Sequence, residues 1–335
     1  MKPQSLSAKL IFRDLLAAAV IAVVLFILHF FLPLSMVIDI GIFSIYVLSF
    51  DIIYGYMGWL AIGYTLYLGV GAYTAGMFLK YVNSNPFLSL LTALASGALI
   101  GIVVGPLVLR RRGAYFALVN AALNWFGYFL IIIPLKDFTG GRDGTWVKIQ
   151  ATSPLNVLSR SDFLILLLII IFVVTIICRH LLRSPFGKLL LAIKENEDRV
   201  RFLGYNDFYA KLCAFTISVT LASLSGALFV LHYWYVSPDI MMPTRALEVI
   251  CATLIGGAGT FYGAFIGSSV FVALKDYLSI YLGSWEMYLG IFIIIVMLVL
   301  KRGIWGYVEQ LFKRYGSTTT LKVQGGESKE VKLVV

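Results

Sequence analysis

Charge is scarce in this chain: 13% of its 335 residues are Asp, Glu, Lys or Arg, against 60% hydrophobic residues and a mean hydropathy of +0.91. That excludes a soluble domain of ordinary composition, in which about a quarter of residues are charged. Cysteine is scarcer still. Cys178, Cys213 and Cys251 lie in or beside apolar blocks without ligand spacing, so neither a disulfide framework nor a zinc site is expected, and they read as packing residues. His29, His180 and His232 fall near the ends of apolar blocks and read as structural. The sequence has no G-x-x-x-x-G-K-S/T phosphate loop, no H-E-x-x-H and no G-x-S-x-G. Nucleotide hydrolysis and hydrolytic chemistry therefore have no carrier here, and no metal or cofactor is expected on this chain. An ATP-driven process would need a separate ATPase polypeptide.

Long apolar runs are what the chain has instead. Taking about 20 residues as a membrane crossing, spans are placed at 15–33, 36–56, 59–79, 87–109, 114–135, 163–182, 210–234, 246–258, 260–280 and 285–300, the eighth short enough to be re-entrant. The expected fold is all-α, a polytopic bundle of about ten (8–10) transmembrane segments with both termini cytoplasmic. The first span lacks a small-residue cleavage site and is read as retained. With the N-terminus inside, segments 1–14, 110–113, 179–211 and 301–335 carry 20 of the 27 Lys and Arg, which is the asymmetry of cytoplasmic loops. The formal charge of +10 is thus a topology signal. It forms no basic stripe interleaved with aromatics, so nucleic acid is not an expected partner. The chain divides into a cytoplasmic N-terminus (1–14), a transmembrane domain (15–306) with a charged loop at 183–208, and a cytoplasmic tail (307–335) whose polar end from Ser317 is expected to be mobile.

Glycines recur every four residues at Gly97, Gly101 and Gly105, and again at Gly259, Gly263 and Gly267, a spacing that lets helix backbones approach closely in lipid. Two further clusters, Gly55-Tyr-Met-Gly58 and Gly256-Gly257-Ala-Gly259, interrupt spans in the two halves of the chain. Each reads either as a simple turn or as a broken helix lining a path. Asp51 is an acid inside the second span, and ionisable groups there are usually functional. Glu248 begins the eighth span near Arg245 and reads as interfacial as readily as pathway-lining.

One segment is unlike the rest. Ser184 to Gly204 reads as a single amphipathic helix: Ser184 is an N-cap, Pro185 suits the first turn and Gly204 the position after the last. Leu189, Ile193, Val200 and Leu203 approximate an apolar stripe, interrupted near Asn196 and Glu197. A plain connection, a helix lying on lipid headgroups and a helix docking into a groove of a soluble partner are equally compatible with this pattern.

From Lys188 to Asn206 the segment resembles the cytoplasmic loop of ABC-importer permeases, with Asp198 and Gly204 at the family's six-residue spacing and Arg199-Val200 where two alanines are usual. The ordered blocks Gly55-Tyr-Met-Gly58, Gly69-Val-Gly71-Ala-Tyr-Thr-Ala75, Leu109-Arg-Arg-Arg-Gly113, Thr139-Gly-Gly-Arg-Asp-Gly144, Ser225-Gly-Ala-Leu228, Val236-Ser-Pro238 and Gly256-Gly-Ala-Gly259 are together similar to the branched-chain amino-acid permeases of the LivM type. The resemblance implies a non-enzymatic permease subunit of the inner membrane of a prokaryote. It works with a second, homologous permease, two ABC ATPase subunits that bind ATP and Mg, and an extracytoplasmic substrate-binding protein. Lys194, Glu195, Glu197, Asp198, Arg199 and Gly204 are then candidates for ATPase coupling, and Asp51, Gly58, Trp59, Tyr64, Gly256, Gly257 and Gly259 for the substrate pathway. Asp51 stands where Asn is usual, and Trp59, Ala61 and Tyr64 stand in place of a Gln, Ser and His pattern. Branched-chain amino acids are the default substrate, with urea and amides handled by related members. A transporter driven by an ion gradient through Asp51 is the alternative, and a membrane-embedded enzyme a more distant one.

Overall fold

The computed structural model describes residues 3–149, 159–281, 285–299 and 303–316. Helices α1 (Pro3–Leu28), α2 (Leu34–Asp51), α3 (Thr65–Tyr81), α4 (Pro86–Val108) and α5 (Ala114–Ile132) lead to a short α6 (Lys136–Thr139) and strand β1 (Thr145–Trp146). Then come α7 (Arg160–Arg183), α8 (Pro185–Glu195), α9 (Glu197–Phe202), α10 (Asp207–Tyr233), β2 (Tyr235–Val236), α11 (Pro243–Gly256), α12 (Phe261–Tyr281), α13 (Trp285–Val299) and α14 (Gly303–Gly316). The only strands among the described residues are β1 and β2, which pair antiparallel, Thr145 with Val236 and Trp146 with Tyr235. The protein is an all-α polytopic membrane protein: among the described residues, six helices are long and apolar enough to cross a bilayer.

α2 and α10 form the centre. Both are buried along almost their whole length, whereas α4 and α5 leave most of their surface outward. α10 packs on α3, α4 and α2, α12 packs on α2 and α11, and α1 lies against α7. Small residues set how close the central helices come. A Cβ on Gly71 of α3 would fall on the carbonyl of Ser223, and one on Gly226 of α10 on the carbonyl of Leu68. The α4 ladder does the same from the other side, Gly97 facing Ser223 and Thr220 and Gly101 facing Thr216. The four-residue glycine spacing is therefore a packing device here.

Buried hydroxyls then tie the helices together. Ser218 donates to the carbonyl of Ser49 at 2.6 Å, Ser225 to that of Ile42 at 2.8 Å and Ser223 to that of Tyr67 at 3.0 Å. Each hydrogen bond between helices in lipid contributes about 0.6 kcal/mol on average.

The structure corrects two expectations and limits others. The stretch from Ser184 to Gly204 is two helices, because Asn196 adopts an extended conformation (φ −161°, ψ 102°) and its side chain caps α9 by accepting from Arg199 N at 2.9 Å. The third apolar block starts helix only at Thr65, and residues 57–64 cross between α2 and α3 without regular helix apart from turns. The eighth, α11, has 14 residues and so spans about 21 Å, short of the roughly 30 Å of a bilayer core. α14 continues past residue 306 to Gly316, and the polar end from Ser317 lies outside the described residues. Of the cysteines, Cys178 is buried, Cys251 half-buried and Cys213 exposed.

Candidate functional site

Two sites lie at opposite ends of α2. At its last turn α2 widens into a π-helix over Ile52–Tyr56, and Trp59 N closes it by donating to Ile53 O at 3.1 Å. Three chain segments meet at this turn. Lys194, one residue before the end of α8, donates from Nζ to the carbonyl of Gly55 at 2.7 Å. Asp51, 1% exposed, accepts from Gly259 N at 2.8 Å, in the glycine turn between α11 and α12. A Cβ on Gly55 would meet Asp51 and Gly259 N, and one on Gly58 would meet the Lys194 stem at 2.8 Å. Gly58, Gly257 and Gly259 have φ of +81°, +111° and +78°, a region that side chains with a Cβ rarely occupy. Gly256 closes the same junction from α11, packed on the Gly263 carbonyl.

Of the sequence candidates, Lys194 from the coupling set and Asp51, Gly58, Gly256, Gly257 and Gly259 from the pathway set meet at this junction, around Gly55; Glu195, Glu197, Asp198, Arg199, Gly204 and Tyr64 lie elsewhere.

Beside the junction, α8 and α9 are clamped to α10. Ser184 caps α8 by accepting from Phe186 N at 3.2 Å, as its position predicted. Ile193 and Val200 pack with Ala210 of α10. Lys211, 2% exposed, sits between Glu197 at 2.5 Å and Asp207 at 2.7 Å, with Trp59 under its ammonium at 4.9 Å. Arg201 bridges Glu197 and Asp207 at 3.0 and 2.7 Å, and its hydrogen bond to Asp207 raises the guanidinium pKa. Arg112, after α4, reaches Glu197 at 3.2 Å and Asp198 at 3.3 Å. Glu197 is the hub of this network and holds the helices in place; Glu195, Asp198 and Arg199 face outward. Gly204 follows α9 at φ +83° with nothing near its Cβ position.

The sequence reading missed what α9 presents. Phe202 is 92% exposed, and Leu203 and Tyr205 beside it are also exposed. Leu203 belongs to the apolar stripe of a single-helix reading; α9 restarts after Asn196 and ends at Phe202, and Leu203, its C-cap, is exposed.

At the other end of α2 is a cavity of about 350 Å³ between α2, α3, α10, α11 and α12. Its floor is apolar, with Phe43 stacked on Phe271 at 5.6 Å, and its wall includes Tyr46. Its rim is charged: Lys275 pairs with Glu248 at 2.6 Å, Arg245 with Glu248 at 3.4 Å, and Tyr233 donates to Asp39, 2.9 Å from either carboxylate oxygen. Asp51, Gly58, Trp59, Tyr64, Gly256, Gly257 and Gly259 do not line it, but Glu248 does. Tyr64 lies just behind, stacked on Tyr46 at 5.5 Å, its hydroxyl donating to Ser49 Oγ at 2.9 Å. Glu248, open between an interfacial and a pathway-lining reading, is a rim residue paired with Arg245 and Lys275. His232 is 4.0 Å from Asp39 and stacks on Phe163.

Comparison with known proteins follows the same architecture. Residues 32–300 match the family described as the permease component of branched-chain amino acid transport systems. The chain is 28% identical over 261 residues to the high-affinity branched-chain amino acid transport system permease protein LivM of Escherichia coli K12, covering 70% of this chain and 61% of that protein. It is 23% identical over 266 residues to a probable LivM of Methanocaldococcus jannaschii, covering 68% and 70%. It is 30% identical over 209 residues to the autoinducer 2 import system permease protein LsrC of Enterobacter sp. strain 638, covering 60% and 58%. The chain spans about 61% of the length of the LivM proteins of Escherichia coli and Salmonella typhimurium. No solved structure matches it.

Proposed function

The chain belongs to the branched-chain amino acid transport system permease family, and from that premise we propose that it is a membrane subunit of an ATP-driven importer for branched-chain amino acids or related small polar solutes. In this reading α1–α5, α7, α10, α12 and α13, with the short α11 between α10 and α12, make about ten (8–10) membrane segments in the inner membrane of a prokaryote. Both termini and the α8–α9 segment are cytoplasmic, the side that 20 of the 27 basic residues favour. The partners are a second, homologous permease, two ATPase subunits that supply ATP and Mg binding, and an extracytoplasmic substrate-binding protein.

One observation carries the coupling half of the reading. α9 is clamped to α10 by the Glu197–Lys211–Asp207–Arg201 network and holds Phe202, Leu203 and Tyr205 outward beside Asp198 and Arg199. A rigid helix with an exposed aromatic anchor is the form a groove of a soluble partner recognises. ATP-dependent closure of the ATPase pair moves α8 and α9, and Lys194 passes that movement to the π-turn of α2. Only a contact that differs between the two ATPase states can shift the permease equilibrium.

The test is co-expression with the neighbouring ATPase, permease and binding-protein genes, followed by reconstitution. The subunits should co-purify, and uptake should need both ATP and the binding protein. Uptake by the isolated chain that follows a proton or sodium gradient without ATP would overturn the reading.

A further inference from the structure

We propose that the 350 Å³ cavity is a ligand site contained within this one chain, and that it recognises its solute by an ammonium group, with a compact aliphatic body below. The proposal deepens the transport reading and takes its physiological meaning from it, but its test does not depend on transport.

Size comes first. A volume of about 350 Å³ lies at the small end of ligand pockets, which run from about 300 to 1,000 Å³, so the occupant is a small solute. The floor of Ile42, Phe43, Phe271 and Val272 offers no hydrogen bond and suits a branched aliphatic group of a few carbons.

The rim decides which end is held. It carries three carboxylates, Asp39, Glu248 and Asp276, against two cations, Arg245 and Lys275. Both cations pair with the same carboxylate, Glu248. Asp39, from α2, is held by the Tyr233 hydroxyl, with His232 at 4.0 Å. An entering carboxylate would have to compete with Glu248 for both cations and would add a negative charge to an already acidic rim. An entering ammonium would meet Asp39 and reduce the rim's charge imbalance, and opposite charges attract more strongly in such a poorly solvated cleft.

Tyr46 supplies an independent observation. It lines the cavity, is 2% exposed, and its hydroxyl has no hydrogen-bond partner among the described residues. A buried hydroxyl left unpaired is a standing cost to the fold. The hydroxyl is closed off from the open volume, so a polar group of the ligand pairs it only once the ring turns toward the cavity.

The experiment measures binding of isoamylamine, L-leucine, isocaproate and acetamide to the purified full-length chain in lipid nanodiscs by calorimetry. Isoamylamine and L-leucine should bind, and isocaproate, which has the same aliphatic body but only a carboxylate, should bind at least tenfold more weakly. Asp39→Asn should weaken isoamylamine at least tenfold, because the amide still accepts from Tyr233 but is uncharged. Phe271→Trp, which fills the floor, should weaken both ligands, and the thermal midpoint of each variant should match the wild type. Isocaproate binding as well as isoamylamine, unchanged affinity in Asp39→Asn, or a cavity filled only by a lipid tail would overturn the proposal. ATP-driven uptake without binding here would refute the site and leave the importer reading standing. Binding here without ATP-driven uptake would do the reverse.

Discussion

Replacing Phe202 by alanine separates docking from folding. Phe202 is 92% exposed, so its side chain contributes little to this chain's own packing. Surface substitutions of that kind change stability by no more than about 0.5 kcal/mol. If α9 inserts into the ATPase, the same side chain becomes a buried anchor. Burying a phenylalanine is worth about 1.5–3 kcal/mol, and truncation of an interface anchor costs about 2 kcal/mol or more. At about 1.4 kcal/mol per factor of ten, 2 kcal/mol is a loss of about 30-fold in ATPase affinity.

The assay pairs a thermal unfolding curve of the purified chain with titration of the cognate ATPase onto it in nanodiscs, and adds ATP-driven uptake in proteoliposomes. Unchanged melting with affinity weakened by about 30-fold supports docking. A contrasting control is Val200→Ala. Val200 is buried against Ile193 and Ala210, so its truncation should loosen α9 itself and lower the melting temperature and docking together. Unchanged ATPase affinity in Phe202→Ala refutes the reasoning. If affinity is unchanged and partition of the α8–α9 peptide onto anionic vesicles falls, the helix lies on lipid.

Three further changes have defined outcomes. Lys194→Met removes the hydrogen bond to the Gly55 carbonyl; ATPase co-purification should persist while uptake falls by roughly tenfold, the equivalent of one charge-assisted hydrogen bond. Combined with Asp39→Asn it should give a loss of uptake that is not the product of the two single losses, whereas independent sites would multiply. Glu197→Gln leaves Lys211 buried with Asp207 alone and takes a carboxylate from Arg112 and Arg201; it should cost about 1–3 kcal/mol, read as faster proteolysis between α8 and α10, and equal cleavage rates would count against the clamp. Gly71→Val drives a side chain onto the Ser223 carbonyl and should destabilise the bundle by about 1–3 kcal/mol, seen as a lower melting temperature, whereas an unchanged midpoint would mean that α3 and α10 are not closely packed there.

The apolar blocks were legible because hydropathy over a span is a property of contiguous residues: each placed span overlaps a helix, and among the described residues six of those helices, α2, α4, α5, α7, α10 and α12, are long and apolar enough to cross a bilayer. Ser184 and Pro185 were readable for the same reason: a helix start is specified by neighbouring residues. The break at Asn196 was not. Periodicity follows side-chain polarity, and Asn196 changes the backbone direction, so Leu203, which a single helix puts in the apolar stripe, is exposed. The cavity was harder still. Asp39, Tyr46, Glu248, Phe271 and Lys275 come from three helices, and Tyr46 stands among apolar neighbours with no local mark of a missing partner. Asp51 was singled out by the cost of a charge in the membrane, but the cost argument does not say which way the carboxylate faces, and it faces a backbone amide at the junction.

α2 joins the cavity to the junction. Asp39, Phe43 and Tyr46 face the cavity at one end, and Asp51 and Gly55 form the junction at the other. Asp39 and Gly55 are sixteen residues apart in sequence, about 24 Å along a helix. A helix buried along its length in a close-packed interior moves as a body, since packed helices shift between discrete arrangements and do not flex continuously. Where α2 does yield is its π-turn, a wider turn of the kind that recurs at functional sites, and Lys194 donates to a carbonyl of that turn. A displacement of α8 therefore acts on the one stretch of α2 whose backbone is not held in regular α-helix, and the rest of the helix carries it to the cavity. That is why losses at Lys194 and Asp39 should combine non-multiplicatively: they are changes at two ends of one lever, not in two independent parts.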